Sequence, residues 1–197
     1  MINKNKKLPR IVIIIPARLK SSRLRKKLLR KIDSLPMIIR VAKNAKKLEL
    51  GRVVVGTDSL EIFNVCKNYN VETLMTKRIH KSGTDRVYEV YSLIKEEFDL
   101  IINLQGDLPV FTKELFKKII NLFSDDLVDI GSAICDLTQN EFNDENVVKA
   151  KVKLDENNTG FAKDFNRTFE HKENLYHHIG IYVYRPSVLR KIVNLSQ

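Results

Sequence analysis

The chain has 197 residues, of which 43% are hydrophobic and 30% charged, and this profile is typical of a folded globular protein. No apolar run approaches the length of about 20 residues that a membrane helix needs, and two cysteines suggest neither a disulfide framework nor a zinc site. The net charge of +11 is consistent with three kinds of anionic partner: nucleic acid, an anionic membrane face or a polyanionic small molecule. The apolar run at residues 11–15 is too short for the core of a signal peptide, so we expect a cytoplasmic protein.

Apolar patterning predicts that strands and helices alternate as far as residue 123. Buried strands, whose apolar residues do not alternate with polar ones, are expected at residues 10–15, 52–57, 71–75 and 99–105. Amphipathic helices are expected at residues 34–50, 59–70, 83–97 and 112–123. Ser34 is the expected N-cap of the first helix, and Gly51 marks its expected end. This alternation predicts an α/β fold with a mostly parallel sheet and helices on both faces, a three-layer α/β/α arrangement.

The last third of the chain follows a different pattern. Strands with short connections are expected at residues 129–137, 146–155, 159–165 and 177–185, followed by a helix at residues 186–195. No linker rich in proline, glycine or serine separates this part from the rest. We therefore predict a single domain over residues 1–197.

A strongly basic loop follows the first predicted strand. It contains Arg18, Arg23 and Lys27 and has neither the glycine pattern of a dinucleotide site nor that of a Walker loop. Arginine forks and a lysine point charge suit phosphate oxygens. Small side chains allow close approach of the backbone at Ala17, Ser21 and Ser22. The alternative is an ordinary solvated basic loop.

Two further turns carry residues suited to a phosphate site. Asp107 follows the fourth buried strand, after a glycine that allows a tight turn, and its carboxylate can hold Mg²⁺ against substrate phosphates. Arg86 lies in the first turn of a predicted helix that Thr84 or Asp85 can cap. A cation there opposes the helix dipole, which suggests a bound anion. An ordinary turn and a surface arginine are the alternatives.

The last predicted strand places His178, Gly180 and Tyr182 on one face. A histidine and a tyrosine on one side can contact a sugar, although a half-buried strand with polar residues facing water fits equally well. The basic loop, the turn before Arg86 and the turn at Asp107 each follow a strand of one sheet, so they are expected to converge at one edge. Together they predict a site for a triphosphate with a metal.

With these residues in view, the sequence resembles the 3-deoxy-manno-octulosonate cytidylyltransferase family, which activates the octulosonate sugar acid of lipopolysaccharide with CTP. The similarity is carried by IIIPARLKSSRLRKKLL, VVVGTDS, MTKRIHKSGTDRVYEV, INLQGDLPV, GFAKDFNR and HHIGIYVYR. The resemblance implies a nucleotide-diphospho-sugar transferase-like, Rossmann-like fold, a homodimer and a requirement for Mg²⁺.

The resemblance also implies roles for individual residues. The nucleotide would be bound by Ala17, Arg18, Arg23, Lys27, Ser82, Gly83 and Gln105. The sugar acid would be bound by Arg86, Arg167, His178 and Tyr182. Arg18, Lys27 and Asp107 would act in catalysis, and Asp107 would hold Mg²⁺.

The sequence departs from the family pattern at several positions. Lys26 stands where the family has a glycine, and Leu108 stands where it has a glutamate. The resemblance implies that the chain lacks the family's C-terminal segment, which carries a second metal-binding aspartate.

Three alternatives therefore stay open: a relative that only binds nucleotide, a sister enzyme for another acidic sugar, and a basic nucleic-acid-binding protein. The absence of aromatic residues in the basic loop disfavours the last.

Overall fold

The structure, a computed structural model, describes residues 8–19 and 24–195. Its contacts divide the chain into two compact units. One comprises the residues up to Gly131 together with those from Ile181 onward, and the other is Ser132–Gly180. The single domain over residues 1–197 stays a prediction.

Most of the predicted elements are present in the described residues, with bounds that differ from the predicted ones by a few residues. The strands are β1 Ile11–Ala17, β2 Lys31–Ile32, β3 Leu35–Pro36, β4 Arg52–Thr57, β5 Thr73–Met75, β6 Leu100–Leu104, β7 Ile130–Cys135, β8 Lys149–Val152, β9 Ala162–Asn166 and β10 Leu175–Tyr184. The α-helices are α1 Met37–Lys47, α2 Leu60–Asn68, α3 Gly83–Ile94, α4 Lys113–Leu122, α5 Gln139–Asn143 and α6 Pro186–Val193. A short 3₁₀ helix, Lys27–Leu29, follows the basic loop.

The sheet of the first unit has the strand order β5-β4-β1-β6, all parallel. The last four residues of β10 add an antiparallel strand beside β6. The strand order runs outward from β1 to β5 and then returns to β6, so right-handed crossovers place α1 and α2 on one face and α3 on the other. The predicted three-layer α/β/α arrangement is confirmed.

Burial on both faces explains why the strands read as continuous apolar runs. All seven residues of β1 are buried. Val12 and Ile14 pack with Val87 of α3 and Leu189 of α6, and the side chains between them point to the opposite face. The carboxyl ends of β1, β4 and β6 lie along one edge of this sheet, where ligands of such folds bind.

Gly56 on β4 allows α3 to lie directly against the sheet. A Cβ atom added at Gly56 would lie 2.4 Å from Cγ2 of Val90. We expect Gly56→Ala to lower the free energy of unfolding by about 2 kcal/mol, because the core cannot accept the extra atom without shifting. Urea denaturation measures this. Gly56→Ala should cost less in a Val90→Ala background than in wild type, because the clashing methyl group is then absent, whereas purely additive losses would contradict the packing explanation.

The predicted start of the first helix is wrong. Ser34 does not cap a helix, because Asp33 and Ser34 form the turn of a small β2–β3 hairpin, with φ angles of 44° and 69°. Two left-handed residues are what the commonest two-residue hairpin turn requires. The helix begins at Met37, whose N–H donates to the carbonyl of Arg30 at 2.9 Å. Its end is also earlier than predicted, since the left-handed residue that follows it is Glu49, not Gly51.

The second unit is built from antiparallel strands. β8 pairs with β9 and with the first residues of β10, and β7 also pairs with β10. The short helix α5, which the sequence analysis did not predict, begins with a capping box between Thr138 and Glu141. Over the part of the chain that the structure describes, no helix is both long and apolar enough to cross a membrane.

Candidate active site

Arg18 ties the basic loop to the loop before α3. It follows the last residue of β1, Ala17, which is buried. Its Nη2 donates to the carbonyls of His80 at 2.6 Å and Ser82 at 2.7 Å, and its Nη1 donates to that of Lys81 at 3.2 Å. The structure thus brings together two of the loops that were predicted to converge. These donors of Arg18 bind backbone carbonyls of the protein. The pattern of charges along the sequence does not reveal such contacts.

Helix α3 is capped by Ser82, and not by Thr84 or Asp85. The Ser82 hydroxyl accepts from the N–H of Asp85 at 3.0 Å, and the Asp85 carboxylate accepts from the N–H of Ser82 at 2.8 Å. Burial alone would raise the pKa of Asp85, but the hydrogen bonds from Ser82 outweigh it and hold that pKa below its usual value. This capping box fixes Gly83 as the first residue of α3, where the N–H groups of its first turn begin.

Arg86 has its anion within the chain. It is fully buried, its Nη2 lies 3.0 Å from the carboxylate of Asp58, and its Nη1 donates to the hydroxyl of Thr76. The expectation of a separate bound anion beside Arg86 is therefore corrected: Asp58, directly after β4, offsets the cation near the helix start. Asp58 was not predicted as a site residue, although it directly follows a buried strand, as Asp107 does.

Lys27 and Asp107 meet in space although 80 residues separate them. The Lys27 ammonium lies 2.5 Å from the Asp107 carboxylate, and both side chains are about two-fifths exposed. The loop before Lys27 turns at Lys26, whose φ of 55° is left-handed. Glycine adopts that conformation without strain, which fits the glycine that the resemblance implies at this position.

The turn at Asp107 is present. Gly106 is needed there because a side chain would meet neighbouring atoms, and not because its backbone has a positive φ. The N–H of Leu108 donates to the carbonyl of Gln105 at 3.2 Å. A Cβ at Gly106 would lie 3.3 Å from the Pro16 carbonyl oxygen and 3.3 Å from Cδ1 of Ile38. The glycine thus lets the Asp107 turn approach the end of β1.

The remaining predicted site residues lie in several places. Gln105, directly after β6, donates from its side chain to the amide oxygen of Asn103 at 3.4 Å. Tyr182, on the first unit's part of β10, stacks on Tyr184 with ring centroids 6.1 Å apart, and burial raises its pKa. Arg23, together with Ser21 and Ser22, lies outside the described residues.

Arg167 and His178 belong to the second unit. Nη1 of Arg167 donates to the carbonyls of Glu145 and Asn146, at 2.9 and 3.1 Å. His178 is buried, lies 2.8 Å from the hydroxyl of Ser132, and meets the ring of Phe165 edge-on. Burial is the main cause that lowers the pKa of His178, and the nearby charge of His177 lowers it further.

A histidine–glutamate pair lies beside the loop that Arg18 holds. His80 bonds Glu89 of α3, which also accepts from the N–H of Lys77 at 2.9 Å. Burial alone would raise the pKa of Glu89, but the His80 and Lys77 hydrogen bonds outweigh it and lower that pKa. This pair was not predicted from the sequence.

The lowered pKa of Glu89 makes this pair a source of pH-dependent stability. A carboxyl group with a lowered folded-state pKa adds stability above its unfolded pKa of about 4.5, and that stability is lost as the pH falls through the folded value. We expect Glu89→Gln to lower the free energy of unfolding by about 1 kcal/mol at pH 7. The difference from wild type, followed by urea denaturation, should shrink below pH 4.5. A difference that is constant from pH 7 to pH 3 would contradict this role of the carboxylate.

The donor set for a metal is small. Among the described residues, no three histidine, cysteine or acidic side chains form a group that could hold an ion. Asp107 offers one partly exposed carboxylate at the sheet edge. Since Mg²⁺ is commonly held by one or two carboxylates plus substrate phosphates, Asp107 fits a metal that is shared with a triphosphate.

Comparison with known proteins identifies the family. The sequence profile of the family described as cytidylyltransferase matches residues 12–197. The 3-deoxy-manno-octulosonate cytidylyltransferase of Bartonella henselae is 40% identical over an alignment of 190 residues, and the match covers 94% of this chain and 78% of that one. This chain belongs to the cytidylyltransferase family.

A second relative and a solved structure agree with this assignment. The 3-deoxy-manno-octulosonate cytidylyltransferase of Brucella suis is 40% identical over an alignment of 189 residues, and the match covers 93% of this chain and 75% of that one. The structure of a CMP:2-keto-3-deoxy-manno-octonic acid synthetase complexed with CTP matches with a TM-score of 0.82 and 31% identity. It covers 95% of this chain and 79% of that one. The predicted fold class is thereby confirmed, and the protein is a nucleotidyltransferase of the cytidylyltransferase type.

Proposed function

We propose that this cytidylyltransferase transfers CMP from CTP to 3-deoxy-D-manno-octulosonate, giving the CMP-sugar and pyrophosphate for lipopolysaccharide biosynthesis. The observation that carries the proposal is the 40% identity to enzymes of that name along 94% of the chain. The meeting of Lys27 and Asp107 at the carboxyl edge of the sheet supports it, because it places a cation and an acid where a triphosphate would bind.

In the proposed reaction, the anomeric hydroxyl of the sugar acid loses its proton to solvent and its oxygen attacks the α-phosphorus of CTP in line. A new P–O bond forms, the bond from the α-phosphorus to the oxygen that bridges it to the β-phosphorus breaks, and that oxygen leaves with pyrophosphate. The protein has little covalent chemistry to do, so its contribution is positioning and charge neutralisation. Lys27, with Arg23, would neutralise the phosphates.

The other residues have proposed roles in positioning. Arg18 would hold the loop at 80–82, and with it Ser82 and Gly83, against the nucleotide. Gln105 would lie near the base or sugar, and Ala17 would allow close approach of the backbone. Arg167, His178 and Tyr182 would contact the sugar acid. Arg86, being fully buried, would act by fixing Asp58 at the end of β4.

Asp107 would hold Mg²⁺, which when bound would neutralise phosphate charge and favour departure of pyrophosphate. Asp107 would then exchange its contact with the Lys27 ammonium for the metal, leaving Lys27 to the phosphates. The protein is also proposed to act as a homodimer, as the resemblance implies, with a cytoplasmic location.

The experiment that tests the function is a matrix of pyrophosphate-release assays with CTP, UTP, ATP and GTP against three acidic sugars. These are 3-deoxy-D-manno-octulosonate, its amino analogue and a sialic acid. We expect release only with CTP, and fastest with the octulosonate. Preference for another sugar would make the protein a sister enzyme, and release with none would refute the proposed transfer.

A further inference from the structure

A fully buried lysine supports the segment that carries Arg167. Lys149 is the first residue of β8, and its side chain is entirely buried within the second unit. A buried ammonium is costly unless hydrogen-bond acceptors replace its water. Its Nζ donates to the carbonyl of Asp144 at 2.7 Å and to that of Arg167 at 2.5 Å.

These two bonds join three segments of chain at one point. β8 and β9 are antiparallel, with Lys149 opposite Asn166, so Arg167 is the next residue as the chain leaves β9. The Lys149 ammonium therefore donates to the first backbone carbonyl beyond the end of β9. Its second bond reaches the turn at Asp144, which precedes β8.

The turn that Lys149 fixes also orients the side chain of Arg167. Asp144 accepts from the N–H of Asn146 at 2.8 Å, which shapes the turn. The carbonyls of Glu145 and Asn146 then accept from Nη1 of Arg167. Lys149 thus bonds the backbone of Arg167 directly, and through Asp144 it holds the turn whose next two carbonyls accept from the Arg167 guanidinium. The donors on Nε and Nη2 are those that form a two-pronged contact with a carboxylate.

We propose that Lys149 is a positioning residue for the acidic sugar, acting through Arg167. The inference rests on the proposed function, in which Arg167 meets the carboxylate of the sugar acid. Lys149 does not itself touch the substrate. Its loss would let Arg167 and the turn at 144–146 move, and a shift of about 1 Å in a binding group can cost about 100-fold in rate.

The test compares Lys149→Met, which keeps the length of the side chain and removes the ammonium, with Lys153→Met, at an exposed lysine nearby. We expect Lys149→Met to raise the KM for the sugar acid about 10- to 100-fold, with the KM for CTP changed less than about 2-fold. Lys149→Arg, which keeps the cation, should recover part of the loss. Equal changes in both KM values, or none in either, would overturn the inference.

A second readout needs no catalytic turnover. Trypsin cleavage after Arg167, followed by mass spectrometry, should be faster in Lys149→Met than in wild type or Lys153→Met, because the backbone there has lost its anchor. Equal cleavage rates would overturn the inference. If Lys149→Met does not fold, the same comparison is made with Lys149→Arg, where an unchanged cleavage rate and an unchanged KM would overturn it. Absence of turnover in the wild type would count against the proposed function alone, since the cleavage rates test the anchoring of Arg167 by Lys149 separately.

Discussion

Asp107→Asn is expected to lower the rate of pyrophosphate release about 1,000-fold, which corresponds to the several kcal/mol that a well-placed metal contributes to the transition state. The substitution keeps the size of the side chain and removes the charge that would hold Mg²⁺. Since the Asp107 side chain is about two-fifths exposed, the fold should be unaffected. Steady-state assays at saturating CTP and Mg²⁺ measure the effect.

The Lys27–Asp107 contact gives this variant a second signature. Without Mg²⁺, the Asp107 carboxylate competes with the phosphates for the Lys27 ammonium and repels them. Asp107→Asn should therefore bind CTP at least as tightly as wild type when no metal is present, and it should lose the gain in affinity that Mg²⁺ brings. Calorimetric titration of CTP with and without Mg²⁺ measures both. Asp126→Asn, at a highly exposed acid, is the control, and retained activity in Asp107→Asn would remove Asp107 from the proposed site.

Arg18→Ala is expected to lower kcat/KM about 100-fold and the free energy of unfolding by about 2 kcal/mol, because charged donors to three carbonyls are lost together. Those carbonyls belong to residues 80–82, which precede and cap α3. Their release would disorder the loop that Ser82 and Gly83 contribute to the proposed nucleotide site. Unfolding in urea and steady-state kinetics measure the two effects.

The control for Arg18 is Arg25→Ala, since Arg25 lies in the same basic loop and its side chain is exposed. A role through charge alone predicts similar losses for the two variants and a strong salt dependence of both. A role through the backbone carbonyls predicts a large loss only for Arg18→Ala, with Arg18→Lys recovering little because an ammonium lacks the planar fork. Equal stability of the Arg18→Ala and Arg25→Ala variants would contradict the carbonyl contacts.

The strands and the edge at which the loops meet could be predicted because buried parallel strands have a strong pattern. Each such strand reads as a continuous apolar run, and polar residues directly after it must lie at the carboxyl edge. That reasoning found Asp107, and the charge of the loop after β1 pointed to Lys27; the structure places the two side chains 2.5 Å apart. The hairpin at Asp33 and Ser34 could not be found this way, since two residues in the left-handed region have no hydrophobic period.

Local sequence patterns could not predict which groups pair with the buried charges. Arg86 was correctly singled out as a cation that needs an anion, but the anion is Asp58, 28 residues earlier in the chain. Lys149 lies within the sequence NVVKAKV, where a lysine between apolar residues is the only hint of burial. Which carbonyls it contacts depends on the register of β8 and β9, and sequence periodicity leaves that register open.

Detection of the product itself decides most directly whether this protein transfers CMP to the octulosonate. Wild-type protein is incubated with CTP, Mg²⁺ and 3-deoxy-D-manno-octulosonate, and the mixture is analysed by mass spectrometry beside a pyrophosphate assay. We expect one CMP-octulosonate ester for each pyrophosphate released. No ester, with CTP still raising the melting temperature, would contradict it and leave a nucleotide-binding relative that does not transfer CMP.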